Sequence, residues 1–311
     1  MPRHMATAFI THPNCRMHDM GAYHPECPER LDAIEDQLIA SGVGQHLEHH
    51  QAPAAALNSL ARVHTMEYIG HIRSSAPTRG TVHLDPDTAM NPHTWNAALH
   101  AAGAAVLATD LVLAKQVENA FCSVRPPGHH ATRERAMGFC LFNNVAIAAR
   151  HALERHDLAR VAIVDFDVHH GNGTEDIFSE DPRALMVSTF QHPFYPYSGT
   201  EDPSANMVNV PLPAGAGSQA FREAVTGQWL PALEAFQPQM LFFSAGFDAH
   251  VEDDMAMLRL VDADYAWVTA QIKAIADKYA EGRMVSVLEG GYNLSALARG
   301  VVAHIKVLGG L

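Results

Sequence analysis

The stretch Val161–His170 reads VAIVDFDVHH, an apolar run that ends in two acids and two histidines. At the two-residue period of a strand, Asp165, Asp167 and His169 share one face while Phe166 and Val168 share the other. Two carboxylates and an imidazole crowded together in a buried place repel and desolvate one another unless a cation sits among them. A salt-bridge network would give the same relief, but no Lys or Arg stands within the stretch to serve it. Two oxygens and one nitrogen are a plausible catalytic set for zinc, which keeps three protein ligands and one position open for water. Asp167 and His169 supply two ligands. Asp248, in SAGFD at the end of another apolar run, is the candidate for the third, and taken alone it reads equally well as a helix N-cap.

Two further clusters suit the same chemistry. His129 and His130 follow Pro126-Pro127-Gly128, a rigid turn that fixes their direction. A single histidine in a chain of 21 is ordinarily a surface or structural residue, but two adjacent ones opposite a metal read as an acid/base pair. Tyr292 follows Gly290-Gly291, where its phenol can donate to a developing oxyanion; GGY by itself is also simply a turn.

These residues need elements to hold them. Ala6–His12, Ala120–Val124, Arg160–Val168, Ala184–Phe190, Met240–Phe247 and Met284–Leu288 read as strands. Phe139–His156, Ser218–Phe236, Asp262–Ala280 and Leu294–Val307 carry helical patterns, and the Ala-rich run Ala97–Ala114 reads as a packed helix rather than a membrane span. Alternating strands and helices, with near-continuous apolar strands such as LFFSAGF, imply an α/β fold on a parallel sheet, in one domain over residues 1–311. The polar clusters fall at strand ends, where ligands of such sheets bind. The net charge of −13 argues against nucleic acid and suits a cationic substrate. Four cysteines without a CxxC pair and an N-terminus without a secretion pattern point to the cytoplasm and to no membrane partner.

In order along the chain, RPPGHH, GFCLFNN, DFDVHHGNGT, SAGFDAH and LEGGYNL resemble the zinc-dependent histone deacetylases and their bacterial amidohydrolase relatives. HPECPERL and PFYPYSGT add to the match, which runs from about His12 to Asn293. The resemblance implies the arginase/deacetylase fold, a central parallel sheet flanked by helices with the active site at the C-terminal strand ends. It implies Asp167, His169 and Asp248 as ligands of one catalytic Zn2+. It also implies His130 as proton shuttle, His129 as its electrostatic partner oriented by Asp165, and Tyr292 polarising the scissile carbonyl. Gly138 and Phe139, with Tyr195 opposite, would wall a tunnel for a slender aliphatic chain. K+ would bind at backbone oxygens around Asp165, Asp167 and His169, with Ser188. The implied reaction is hydrolysis of an acylated amine, acyl-lysine or a small cationic equivalent, by metal-activated water.

Three departures matter for substrate. Asn172 stands where one branch of the family has an Asp beside the second histidine, and with Glu289 before GGY it looks like the class II branch. Tyr195 occupies a wall position that is often Phe. Met255 falls near a position that polyamine-specific relatives fill with an acid, although Glu252, Asp253 and Asp254 are close by. The main rival is an acetylpolyamine amidohydrolase using the same site. More distant are an arginase-like ureohydrolase with two manganese ions, of which Ala249-His250 is a faint echo, and a non-catalytic binding protein. A homo-oligomer is compatible with all of these.

Overall fold

Strands that are apolar on both faces demand cover on both sides, and the chain supplies it. The computed structural model describes residues 6–311; residues 1–5, the start of the stretch read above for a targeting pattern, lie outside it. Among these residues the strands are β1 (Thr7–Thr11), β2 (Leu47–Gln51), β3 (Val82–His83), β4 (Ala89–Met90), β5 (Asn119–Cys122), β6 (Val161–Asp165), β7 (Ala184–Gln191), β8 (Met207–Leu212), β9 (Leu241–Ala245) and β10 (Met284–Leu288). Eight form one sheet in the order β2-β1-β5-β10-β9-β6-β7-β8, all parallel, and β3 with β4 makes a short antiparallel hairpin. Every residue of β5, β6, β7, β9 and β10 is buried. From β6 the chain steps outward to β7 and β8, then returns to β9 on the other side of β6. The reversal opens a crevice beyond the strands' carboxyl ends, the place where such sheets bind ligands. Register brings Asp165 level with Ser188 of β7 and Ser244 of β9, and Leu288 level with Ala245.

The Ala-rich run is the helix Thr94–Leu113. It is long and apolar enough to cross a membrane by length and composition, yet its alanines pack against the sheet and are buried. The helical pattern read from Phe139 begins only at Asn144, because Gly138 and Phe139 both adopt positive φ and Met137 pairs with Cys140 in a tight turn. Asn143 then caps the helix, its side chain accepting from the Ala146 N–H at 3.0 Å. The pattern over Ser218–Phe236 contains a π-turn at Val225–Trp229 just before Pro231, whose nitrogen has no proton to donate to the helix. β2 and β8 escaped the sequence reading. Both are edge strands of mixed exposure, without the continuous apolar run of the central ones.

Beneath the crevice lies a fully buried ionic cluster. Glu26, from HPECPERL, accepts from both Arg125 and Arg30. Arg30 also donates to the carbonyls of Gly291 and Glu289, each at 2.6 Å, and so ties the N-terminal segment to the GGY loop. Burial alone would raise the Glu26 pKa, but Arg125, His18 and Arg30 together overcome it and hold the carboxyl far below its usual range. Because the folded value is depressed, this stabilisation is fully present above the unfolded Glu pKa of about 4.3 and is lost as pH falls below it. Glu26→Ala, which strands two buried guanidinium groups, is expected to cost about 3–5 kcal/mol in urea unfolding at pH 7. The gap between variant and wild type should narrow as the pH is lowered from 5 toward 3. A gap independent of pH would remove the ionic origin.

Candidate active site

β6 ends at Asp165, so the strand alternation used to align Asp165, Asp167 and His169 stops there. The residues converge by another route, in which each side chain caps the turn that follows it. Asp165 Oδ1 accepts the Asp167 N–H at 3.1 Å, and Asp167 Oδ1 accepts the His169 N–H at 2.9 Å. Asp248 Oδ1 accepts the Val168 N–H at 2.9 Å, which joins the end of β9 to the end of β6. Asp248 opens no helix and so is not an N-cap. The Gly290 N–H, just past β10, donates to Asp167 Oδ2 at 2.8 Å. A Cβ on Gly290 would overlap both Asp167 Oδ2 and Asp248 Oδ2, so glycine is required for this close approach.

Three ligand atoms remain turned toward one point. His169 Nδ1 lies 2.9 Å from Asp167 Oδ1 and 3.2 Å from Asp248 Oδ2, and all three side chains are buried. These separations suit ligands about 2.0–2.2 Å from a shared ion. Asp248 Oδ2 is buried without a hydrogen-bond partner. Burial first, and the Asp167 charge next, push Asp248 up to about 6, the strain that a divalent cation would remove. The donor set fits zinc.

The tandem histidines sit beside this point. Their turn is fixed by Glu289, whose Oε2 accepts the Gly128 and His129 N–H groups at 2.7 and 3.1 Å, while Ser244 donates to Oε1 at 3.2 Å. His129 Nδ1 donates to Asp165 Oδ2 at 2.9 Å, and His130 Nδ1 donates to Asn172 Oδ1 at 2.8 Å. The two rings then titrate in opposite directions. Burial would depress His129, but Asp165 and Asp167 outweigh it and raise its pKa well above the ordinary value. Burial, then the neighbouring His129 and His169, drives His130 well below it. Opposite proton affinities are thus set on rings whose centroids are 4.0 Å apart.

Tyr292 is aimed by its backbone. Asp253 Oδ2 accepts the Tyr292 N–H at 2.6 Å and the Asn293 N–H at 2.9 Å, and Asp253 Oδ1 accepts the Met255 N–H at 3.0 Å. The Arg30 guanidinium lies 5.2 Å from the ring centroid. Burial, then Asp248 and Asp167, raise the phenol pKa well above its normal range, so it stays protonated and able to donate. His130, His169 and Tyr292 open into a cavity of about 230 Å³ whose other walls are Asp87, Gly138, Phe139, Phe194, Tyr195 and Met255. Phe139 meets Tyr292 edge-on at 5.9 Å, and Tyr195 meets His130 edge-on at 5.3 Å. A larger hollow of about 580 Å³ between Pro182 and Phe236 holds no comparable set of converging polar groups.

Of the residues proposed from the sequence, His130, Gly138, Phe139, His169, Tyr195, Met255 and Tyr292 line this cavity. Asp167 and Asp248 meet His169, Asn172 meets His130, and Asp165 meets His129 behind it. Glu289, read only as a branch marker, and Asp253, weighed as a cation reader, instead hold backbone N–H groups. The signal for Glu289 was an acid placed between a buried strand and a glycine pair. Asp253→Ala, which leaves three N–H groups without their acceptor, is expected to destabilise the fold by about 1–3 kcal/mol. It should also lower kcat more than it raises KM, because the Tyr292 backbone loses its anchor. Steady-state kinetics beside a thermal melt check both.

Residues 24–308 match the family model described as the histone deacetylase domain. A histone deacetylase-like amidohydrolase of Pseudomonas aeruginosa is 37% identical over 93% of this chain and 78% of its own length. The human polyamine deacetylase HDAC10 is 35% identical over 98% of this chain and 48% of its own. The crystal structure of the HDA15 HD domain superimposes with a TM-score of 0.93 at 34% identity, covering 98% of this chain and 90% of that one. The five-motif resemblance, the parallel sheet and this match agree: the chain belongs to the histone deacetylase family.

Proposed function

We propose that the chain is a zinc-dependent deacylase that hydrolyses the amide of an acyl-lysine-like substrate. The observation that carries this reading is the convergence of Asp167, His169 and Asp248 beside the neutral His130, at the floor of a narrow cavity walled by aromatic rings. Zinc, when bound by those three ligands, supplies a Lewis acid and lowers the pKa of water. His130, kept neutral by burial and by His129 beside it, is placed to take a proton and later to return it to the departing amine. His129, paired with Asp165, contributes a fixed positive charge next to it. The protonated phenol of Tyr292 donates to the oxygen on which negative charge develops. Phe139 and Tyr195 hold the aliphatic chain of the acylated amine between their rings and keep bulk water out. Potassium fits near the backbone of Asp165, Asp167 and His169, where the Ser188 hydroxyl is buried without a partner.

Three observations favour acyl-lysine over acetylpolyamine. Met255 presents an apolar side chain to the cavity. Asp253 is taken up by backbone N–H groups, and Glu252 is paired with Arg299 at 2.7 Å, so neither is free to read a distal ammonium. A two-manganese ureohydrolase is disfavoured because His250 turns away to Asp262, at 3.1 Å. The four cysteines are unpaired, as a cytoplasmic setting favours.

The test compares turnover of the zinc-loaded protein on an acetyl-lysine peptide and on N8-acetylspermidine. Faster peptide cleavage is expected; faster spermidine release would reassign the substrate to polyamines. Tyr292→Phe should keep its zinc and lose about 10²–10³ in kcat, the usual effect of removing one oxyanion donor. Full activity in that variant would end the role given to the phenol. Asp167→Asn should lose the ion held beside His169 and Asp248, and the rate with it.

A further inference from the structure

A second convergence of ligand atoms lies away from the cavity. Asp110, in the last turns of the helix Thr94–Leu113, faces His151 of the helix Asn144–Arg155 and His156, the residue that ends that helix. His151 Nε2 and His156 Nε2 both point at the same atom, Asp110 Oδ1, each at 2.7 Å. The rings meet edge-on with centroids 5.3 Å apart. The three ligand atoms satisfy the same mutual spacing, within 4.8 Å, as Asp167, His169 and Asp248. We propose that Asp110, His151 and His156 form a second metal site, for a divalent transition ion of the zinc, nickel or copper type.

The donor chemistry selects that class. Two imidazoles and one carboxylate suit zinc and its neighbours, whereas magnesium and calcium prefer oxygen alone. Two ring nitrogens aimed at one oxygen need only small movements to share an ion instead. Side-chain exposure rises from 10% at His151 to 31% at His156 and 48% at Asp110, so one side of the trio is open to water, which would complete the coordination. His151 Nδ1 is buried without a partner, so the acceptor that normally orients a ligating imidazole through its other nitrogen is missing. Affinity should therefore be about 10–100-fold below that of a site whose imidazoles are all so held, which makes it an exchangeable site.

Its place in the fold sets its effect. The helix Asn144–Arg155 has its N-terminus against the tandem-histidine turn, where Asn144 Nδ2 donates to the Pro126 carbonyl at 3.1 Å. His151 and His156 lie further along, about 10 and 18 Å of helix from Asn144. An ion there would clamp this helix to its Ala-rich neighbour without touching substrate.

Metal content and melting temperature after chelator stripping and zinc reloading test the site. Wild type is expected to hold two zinc ions per chain, and His156→Ala and Asp110→Asn one each, with unchanged turnover at one equivalent. Asp167→Asn should still hold one ion, lose it when combined with His156→Ala, and melt at higher temperature with zinc only while His156 is present. Copper(II) bound to Asp167→Asn should show two nitrogen ligands by electron paramagnetic resonance, a readout that needs no substitution in the trio. One zinc per wild-type chain, no ion in Asp167→Asn, or copper without nitrogen ligands would each overturn the proposal.

Discussion

The molecule depends on how it houses buried negative charge. Asp165, Asp167, Asp248, Asp253 and Glu289 are all at most 4% exposed and lie near the same ends of the parallel strands. Carboxylates packed this way are tolerable only if their oxygens are met by donors. The sheet edge provides those donors, because a strand that stops leaves backbone N–H groups without ladder partners. Val168, Asp167, Gly290, Gly128, Tyr292 and Asn293 all donate to these acids. The exceptions to this matching are informative. Asp248 Oδ2 has no hydrogen-bond partner, and it faces the point to which His169 and Asp167 also turn. The charge therefore both builds the loops and leaves one residual demand for a cation.

The same matching divides the labour between neighbouring residues. Asp165 uses one oxygen for its own turn and the other for His129, so one side chain both ends β6 and keeps a histidine charged. Glu289 links β10, β9 through Ser244, and the tandem-histidine turn. Arg30 and Arg125, both paired with Glu26, fasten the N-terminal segment under the GGY loop. Pairs that look redundant in sequence therefore separate by environment: His129 faces two acids, while His130 faces an amide and two other imidazoles.

Much of this was legible in the residues alone. The central strands announce themselves because burial on both faces leaves apolar runs of strand length, each followed by a polar cluster and a helical pattern. The candidate ligand cluster was legible because acids and imidazoles at the end of such a run are costly to bury unless a cation joins them. What stayed hidden was governed by local turn chemistry. The strand alternation that seemed to align Asp165 with His169 ends at Asp165, and positive φ at Gly138 and Phe139 delays the helix to Asn144. Asp253 could not be told from its acidic neighbours, since only the path of the chain shows which of three consecutive acids turns inward. Edge strands β2 and β8 lacked a readable pattern because one side of each meets solvent.

The division among those three acids bears on selectivity. A carboxylate that reads a distant ammonium must reach into the cavity mouth with at least one oxygen unclaimed. Asp253 fails that requirement, since its oxygens are spent on the Tyr292, Asn293 and Met255 N–H groups, and Glu252 is paired with Arg299. The anchoring that aims the phenol thus turns Asp253 away from the tunnel wall, where Met255 and Asp87 both stand in the lining. In this fold one short loop both anchors the Tyr292 backbone and presents Met255 to the cavity, and a change that freed Asp253 to bind a cation would do so at the expense of that anchor.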